Sequence, residues 1–155
     1  MVNISDYQSF ITNQMQIPVA ALPLSSPVIL MTLAIAVDIV NPALMEIPNA
    51  GLILGYTGPT IYELAVYNLA ADNLINFAQD QPGQTYFSDL RSAWKINNFV
   101  PGVIQSSGDE TSSEALLVPE FMKNFTMSDL QNLKTPYGRQ YLAFAQRYGS
   151  LWGMS

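Results

Sequence analysis

Cysteine and histidine are both absent from this sequence of 155 residues. Without them the chain has no disulfide framework and no zinc site of the usual ligand types, so any metal would be a hard cation held by carboxylates and carbonyls. The lack of histidine also removes the common general base for a serine nucleophile. A serine nucleophile could instead use Lys95, Lys123 or Lys134 as its base, but no local sequence pattern distinguishes any of these lysines. We therefore expect no enzymatic activity and no cofactor.

Charged residues are scarce, at 12% of the chain against an apolar share of 49%, where about 25% charged is usual. No Lys or Arg precedes Arg91, and all six basic residues lie from Arg91 onward. A nucleic-acid-binding surface needs basic groups to neutralise phosphates, and the first 90 residues offer none. The apolar excess predicts that part of the surface is covered by other subunits or partners.

The most apolar stretch of the chain runs from Val19 to Val37, but it does not have the pattern of a membrane span. Pro23 and the pair Ser25–Ser26 interrupt it, and its strongly apolar part, Pro27 to Val37, has only 11 residues. A spanning helix needs about 20. No Lys or Arg flanks the stretch to set an orientation. We expect a buried or interface helix here, apolar nearly all round and therefore central, and no membrane association.

Helical periodicity and capping signals predict a mainly α protein, a small bundle of about five helices. The pattern predicts helices over residues 4–16, 26–39, 60–79, 88–99 and 135–148, with short helical turns near 43–45 and 126–133. We expect small polar residues to cap these helices. The expected caps are Ser5 or Asp6, Ser26, Thr57 or Gly58, Ser88, Thr126 with Asp129 as capping-box partner, and Thr135 before Pro136.

Residues 102–118 differ in composition from the helices, because a small polar stretch from Ser106 to Glu114 lies between two short apolar runs. This pattern predicts an extended arm or β-hairpin near residues 100–118, inserted in a single domain over 1–149 and followed by a tail over 150–155. Whether the arm pairs as strands or stays mobile until assembly is left open by the pattern. The acids in it lie in a solvated stretch, which does not favour a catalytic carboxylate pair. We expect interface residues in the arm and tail, namely Ser106, Asp109, Glu110, Glu114 and Trp152.

Two groups on the predicted helices each allow two interpretations. Asp72 lies beside the apolar stripe of the 60–79 helix, either as a functional buried acid or, the favoured interpretation, as a paired or solvated acid at the stripe's edge. The last helix has an aromatic face that either packs on the core, which is favoured, or stacks bases beside two arginines. That face consists of Tyr137, Tyr141, Phe144 and Tyr148, with Arg139 and Arg147 nearby.

The segment Leu133–Ala143, LKTPYGRQYLA, resembles the C-terminal "TPYG-x-x-[YF]-L-A" segment of a family of small tailed-phage proteins, the head–tail adaptors or connectors. The helix Tyr62–Phe77 is similar to the central helix of that family, which often carries His where this chain has Ala71–Asp72. The order of helices, a Ser/Gly-rich arm and a short C-terminal helical part also fits.

The resemblance implies a structural protein of the virion neck, present in the host cytoplasm during assembly. About twelve copies would form a ring that binds the portal protein on one side and tail proteins on the other. DNA would pass through the centre without specific binding, and an acidic lumen suits that role because it repels phosphate. Tyr137 and Arg139 are then expected at interfaces. The alternative is another phage structural component: a tail-completion, minor capsid or cement protein.

Overall fold

The computed structural model describes residues 2–46, 58–98, 103–106, 115–117 and 126–148. Within these residues the chain forms six α-helices and one pair of short antiparallel strands. The mainly α class predicted from the sequence is confirmed. The helices are α1 (Ile4–Asn13), α2 (Pro27–Ile39), α3 (Ile61–Phe77), α4 (Tyr86–Ala93), α5 (Met127–Asn132) and α6 (Pro136–Tyr148), and the strands are β1 (Val103–Ser106) and β2 (Ala115–Leu117).

The central helix is α3. Its residues from Ala65 through Asp72 are all buried, which requires packing neighbours on every side of the helix. α2 and α6 make the most extensive contacts with it, and α1, α4 and a 3₁₀ turn at Pro42–Glu46 add smaller ones. The prediction that α2 is the central helix is therefore wrong. The largest fully buried apolar side chains of the core are Tyr7, Ile11, Ile29, Leu44, Leu74, Ile75 and Phe87.

The cap of α3 is Thr60, two or three residues later than the predicted Gly58 or Thr57. Thr60 Oγ1 accepts a hydrogen bond from the Glu63 amide at 3.2 Å, and Glu63 Oε2 accepts one from the Thr60 amide at 2.8 Å. This reciprocal capping box satisfies amides that the first turn of a helix leaves without a partner. It anchors the start of the helix on which the rest of the bundle packs.

Removing this cap should destabilise the protein measurably. A Thr60→Ala variant is expected to lose about 1 kcal/mol of the free energy of unfolding, because the first turn of α3 then has an unsatisfied amide. Urea denaturation followed by circular dichroism measures the loss. Thr60→Ser keeps the hydroxyl and is the matched control. If the serine variant lost as much as the alanine variant, the methyl group rather than the capping hydrogen bond would be responsible.

The start of α4 differs from the prediction. Ser88, the predicted cap, lies inside the helix, and the capping group is the carboxylate of Asp80, eight residues earlier. The amides of Phe87 and Ser88 donate to Asp80 Oδ1 and Oδ2 at 2.6 and 3.0 Å, and the Ser88 hydroxyl donates as well. These hydrogen bonds, that of the hydroxyl above all, hold the pKa of Asp80 below its usual value. A carboxylate at the positive end of a helix is favourable.

α4 is also shorter than predicted, and it is fastened to the end of α3. It ends at Ala93 instead of residue 99, and Lys95 takes a positive φ of 53° before a 3₁₀ turn at Ile96–Asn98. Arg91 Nη1 donates to the carbonyl oxygens of Ile75 and Ala78, both at 2.8 Å. The first basic residue of the chain thus satisfies carbonyls that the C-terminus of α3 leaves open.

Other caps follow local signals, with one exception. Ser26 precedes Pro27 at the start of α2, and Thr126 with Asp129 forms the predicted capping box of α5. For α1 the cap is the Asn3 side chain instead of Ser5 or Asp6. That helix ends at Asn13, short of residue 16, and Gln16 has a positive φ of 54°, which no helix continues through.

Among the described residues, no helix is both long enough and apolar enough to cross a membrane. The arm predicted near 100–118 is described only at β1 and β2, which pair Val103 with Leu117 and Ile104 with Leu116. The predicted tail over 150–155 lies outside the described residues.

Candidate functional site

α2 presents an apolar face to solvent as well as one to the core. Of its 13 residues only Thr32 and Asp38 are polar. Thr32 is fully buried and its hydroxyl donates to the Val28 carbonyl oxygen at 2.9 Å, so it adds nothing polar to the outer face. Asp38 is exposed. The large side chains that α2 exposes are Leu30 at 62%, Ile39 at 56%, Met31 and Val37, and of these Leu30 and Val37 lie together on the outer face.

A groove of about 450 Å³ runs along this face, between α2, the start of α1 and the 3₁₀ turn after α2. Its walls are mostly apolar, and Asp38 and Tyr62 supply its polar atoms. Burial and the nearby Asp38 carboxylate both raise the pKa of Tyr62. The groove can take apolar side chains of a protein partner, but it has no cluster of titratable groups for chemistry. Its apolar lining includes Val2, Ile4, Leu30, Val37 and Met45.

The core also contains the carboxyl group of Asp72, which is fully buried on α3 where α6 packs against it. The Thr135 hydroxyl donates to Oδ1, and Asn76 Nδ2 lies 3.3 Å from Oδ2. Of the favoured interpretation, an acid at the stripe's edge that is paired or solvated, the structure bears out a hydrogen-bonded acid, but the place at the edge is wrong because Asp72 is buried. Burial raises the pKa of Asp72 to about 6, and the Thr135 hydrogen bond, Lys134 and Asn76 counter that rise in part.

Gly138, in the first turn of α6, lies against this carboxyl. A methyl group in its place would lie 2.7 Å from Asp72 Oδ1 and closer still to the carbonyl oxygen of Asn132. The Gly138 amide donates to Thr135 Oγ1 at 2.9 Å. Three of the four residues of the Thr-Pro-Tyr-Gly segment therefore have a structural explanation at this contact. Thr135 caps α6 and binds Asp72, Pro136 begins the helix, and Gly138 permits the close approach.

The aromatic face of α6 packs inside the protomer. Tyr141 is buried, and Phe144 packs against the core. Burial raises the pKa of Tyr141 to about 12. The ring of Tyr137 lies 6.1 Å from that of Phe10 and 6.4 Å from that of Trp94, measured between centroids. The favoured interpretation of this face as core packing is confirmed for these three residues, and base stacking is not supported by their placement.

The predicted interface residues are distributed unevenly over the described chain. Arg139 is exposed on α6, and its Nη1 donates to the Leu133 carbonyl oxygen at 3.0 Å. Tyr137 is half-buried, and Ser106 is the last residue of β1. The structure brings none of these to the α2 groove. The remaining predicted residues, Asp109, Glu110, Glu114 and Trp152, lie outside the described residues.

The sequence predicted a buried or interface helix over residues 26–39, but it did not predict the α2 groove. A helix that is apolar nearly all round is covered on most sides, but the pattern does not tell a protein core from an intermolecular contact. In the described part of the chain no cluster of three or more His, Cys, Asp or Glu residues is placed to hold a metal ion. In comparisons with known proteins, no family model, no curated protein and no solved structure matches this chain.

Proposed function

We propose that this chain is a non-catalytic structural protein of a tailed-phage virion, forming a ring at the head–tail junction between the portal and the tail. The observation that carries the proposal is the exposed apolar face of α2 at the groove, where Leu30 is 62% exposed and Val37 is also exposed. Contiguous apolar surface of this kind is characteristic of protein–protein contacts. The resemblance of Leu133–Ala143 to head–tail adaptors supports the particular place in the virion.

The charge distribution favours contacts between unlike surfaces of neighbouring copies. Every charged residue before position 90 is acidic, whereas Lys and Arg occur only from Arg91 onward. α1, α2 and α3 therefore carry negative charge, and the exposed Arg139 and Arg147 of α6 carry positive charge. A contact that joins the α2 side of one copy to the basic side of the next is heterologous, and such contacts form a ring when the rotation between copies closes. A net charge of −6 also disfavours binding of DNA in a central channel.

Measurement of mass and shape in solution tests the ring. Light scattering and negative-stain images of the purified chain should show rings of about twelve copies with a central hole, either alone or after addition of purified portal rings. A compact trimer or binding to capsid lattices would instead support a cement or minor capsid protein. A monomer that binds neither portal nor tail components would contradict the proposal.

A single charge on the α2 face should prevent assembly without unfolding the protomer. In Leu30→Glu the new carboxylate would be buried in the contact, and we expect association to weaken by at least about 30-fold, the effect of losing a contact of about 2 kcal/mol. Because Leu30 is 62% exposed in the protomer, circular dichroism and thermal unfolding should stay close to those of the parent chain. Light scattering over a concentration series measures the association.

The matched control for that experiment is Ser92→Glu, which adds the same charge at an exposed position of α4 away from the groove. It should assemble like the parent chain. Equal weakening by both substitutions would mean that net charge, and not the α2 face, controls association. Normal assembly of Leu30→Glu would remove α2 from the interface.

A further inference from the structure

We infer that the buried Asp72 carboxyl and the C-terminal helical unit, α5 and α6 over residues 126–148, form a pH-sensitive latch. With the carboxyl protonated, α6 stays packed on α3; when the carboxyl ionises, α6 separates from α3 more readily. The inference concerns a movement within one protomer and does not depend on the proposed function.

The geometry places an acid where its charge is poorly compensated. Asp72 is completely buried, and its hydrogen-bond partners, the Thr135 hydroxyl and the Asn76 amide, are neutral. Lys134, in the connection between α5 and α6, is the charged group that acts on it. α1, α2 and α4 also pack against α3, but among the described residues Lys134 is the charged side chain that changes the pKa of Asp72. An ionised carboxylate in this place is therefore costly.

Separation of α6 is the movement that relieves this cost. The hydroxyl of Thr135 and the close approach of Gly138 hold the start of α6 against the carboxyl. Loss of that contact admits water to Asp72, and water stabilises the ionised form. α5 packs against α6, so the two helices would move together. Tyr141, Leu142 and Ala145, buried in the packed state, would become exposed.

The sign of the pH dependence follows from the direction of the pKa change. Burial raises the pKa of Asp72 from 3.8 to about 6 in the packed state, so protons bind more tightly when α6 is packed. The stabilising effect is complete below the pKa of the open state and is lost as the pH rises through the pKa of the packed state. Between pH 5 and pH 7.5 these two values correspond to a rise of about tenfold in the opening equilibrium of α6.

Hydrogen–deuterium exchange with mass spectrometry tests the latch on the full chain. Peptides from α6 and α2 are compared at pH 5 and pH 7.5, after correction for intrinsic exchange rates, with α2 as the internal reference. We expect the opening equilibrium of α6 to rise about tenfold relative to α2. A ratio that does not change with pH would overturn the inference. An equal rise in both helices would also overturn it, because Asp72 would then act on the whole fold.

Two variants assign the effect to Asp72. Asp72→Asn keeps the size of the side chain but cannot ionise, so the pH dependence of the α6-to-α2 ratio should disappear. Asp6→Asn removes an exposed acid of α1 and should keep the tenfold change. Persistence of the tenfold change in Asp72→Asn would refute the latch. If that variant does not fold, the ratio measured on the parent chain decides the question.

Discussion

A Gly138→Ala variant is expected to lose about 3 kcal/mol or more of its free energy of unfolding, or to fail to fold. The added methyl group would overlap the carbonyl oxygen of Asn132, and it would lie 2.7 Å from both the Asn132 carbonyl carbon and Asp72 Oδ1. The Asn132 atoms belong to the backbone at the end of α5, so no rotation of a side chain relieves the overlap. α6 would have to move away from both α5 and α3. Urea denaturation measures the loss.

Gly83→Ala is the control that separates crowding from the conformational preference of glycine. Gly83 has a positive φ of 81°, and nothing lies within 4 Å of a methyl group placed there. Its replacement should cost only about 1 kcal/mol, the effect of strain at a positive φ. Similar losses at both positions would argue against a close approach at Gly138. Truncation of Asp72 should not rescue Gly138→Ala, because the nearest atom is in the backbone.

A Thr135→Val variant is expected to lose about 3 kcal/mol at pH 7.5, because valine has the shape of threonine without its hydroxyl. That hydroxyl donates to Asp72 Oδ1 and accepts from the Gly138 amide. Valine therefore leaves a buried carboxylate and a buried amide each without this partner. The loss should be smaller at pH 5, where a carboxyl with a pKa of about 6 is mostly protonated and less costly to bury.

Thr135→Ser is the matched control, since it keeps both hydrogen bonds and loses one methyl group, worth about 1 kcal/mol when buried. The serine variant should therefore be clearly more stable than the valine variant, and its loss should not depend on pH. Equal losses in the two variants would show that the hydroxyl contributes little. A double-mutant cycle with Asp72→Asn would measure the coupling between the two side chains.

The Asp72 contact also bears on the resemblance to head–tail adaptors. Thr135, Pro136 and Gly138 are required to start α6 and to seat it against α3. In this chain, the segment that resembles the adaptors thus determines how two helices meet. Adaptors often carry His in the part of the central helix where this chain has Ala71–Asp72. Here an acid of raised pKa is the titratable group at that contact.

Local features of this protein could be predicted from the sequence because their causes lie within a few residues of one another. The start of α2 depends on Pro27 at its first position. The capping box of Thr126 with Asp129 and the start of α6 after Thr135 depend on side chains that bond to amides three residues away. The helical class follows from apolar spacing in the same way.

Tertiary structure alone decided which helix is central, what caps α4 and what Asp72 binds. α2 has a more apolar sequence than α3, yet α3 is the one enclosed on all sides, because an apolar pattern records that a face is covered and not what covers it. Asp80 caps α4 from eight residues away, and Thr135 binds Asp72 across 63 residues. Such pairs form only when distant parts of the chain pack together, so the apolar periodicity of the sequence does not predict them.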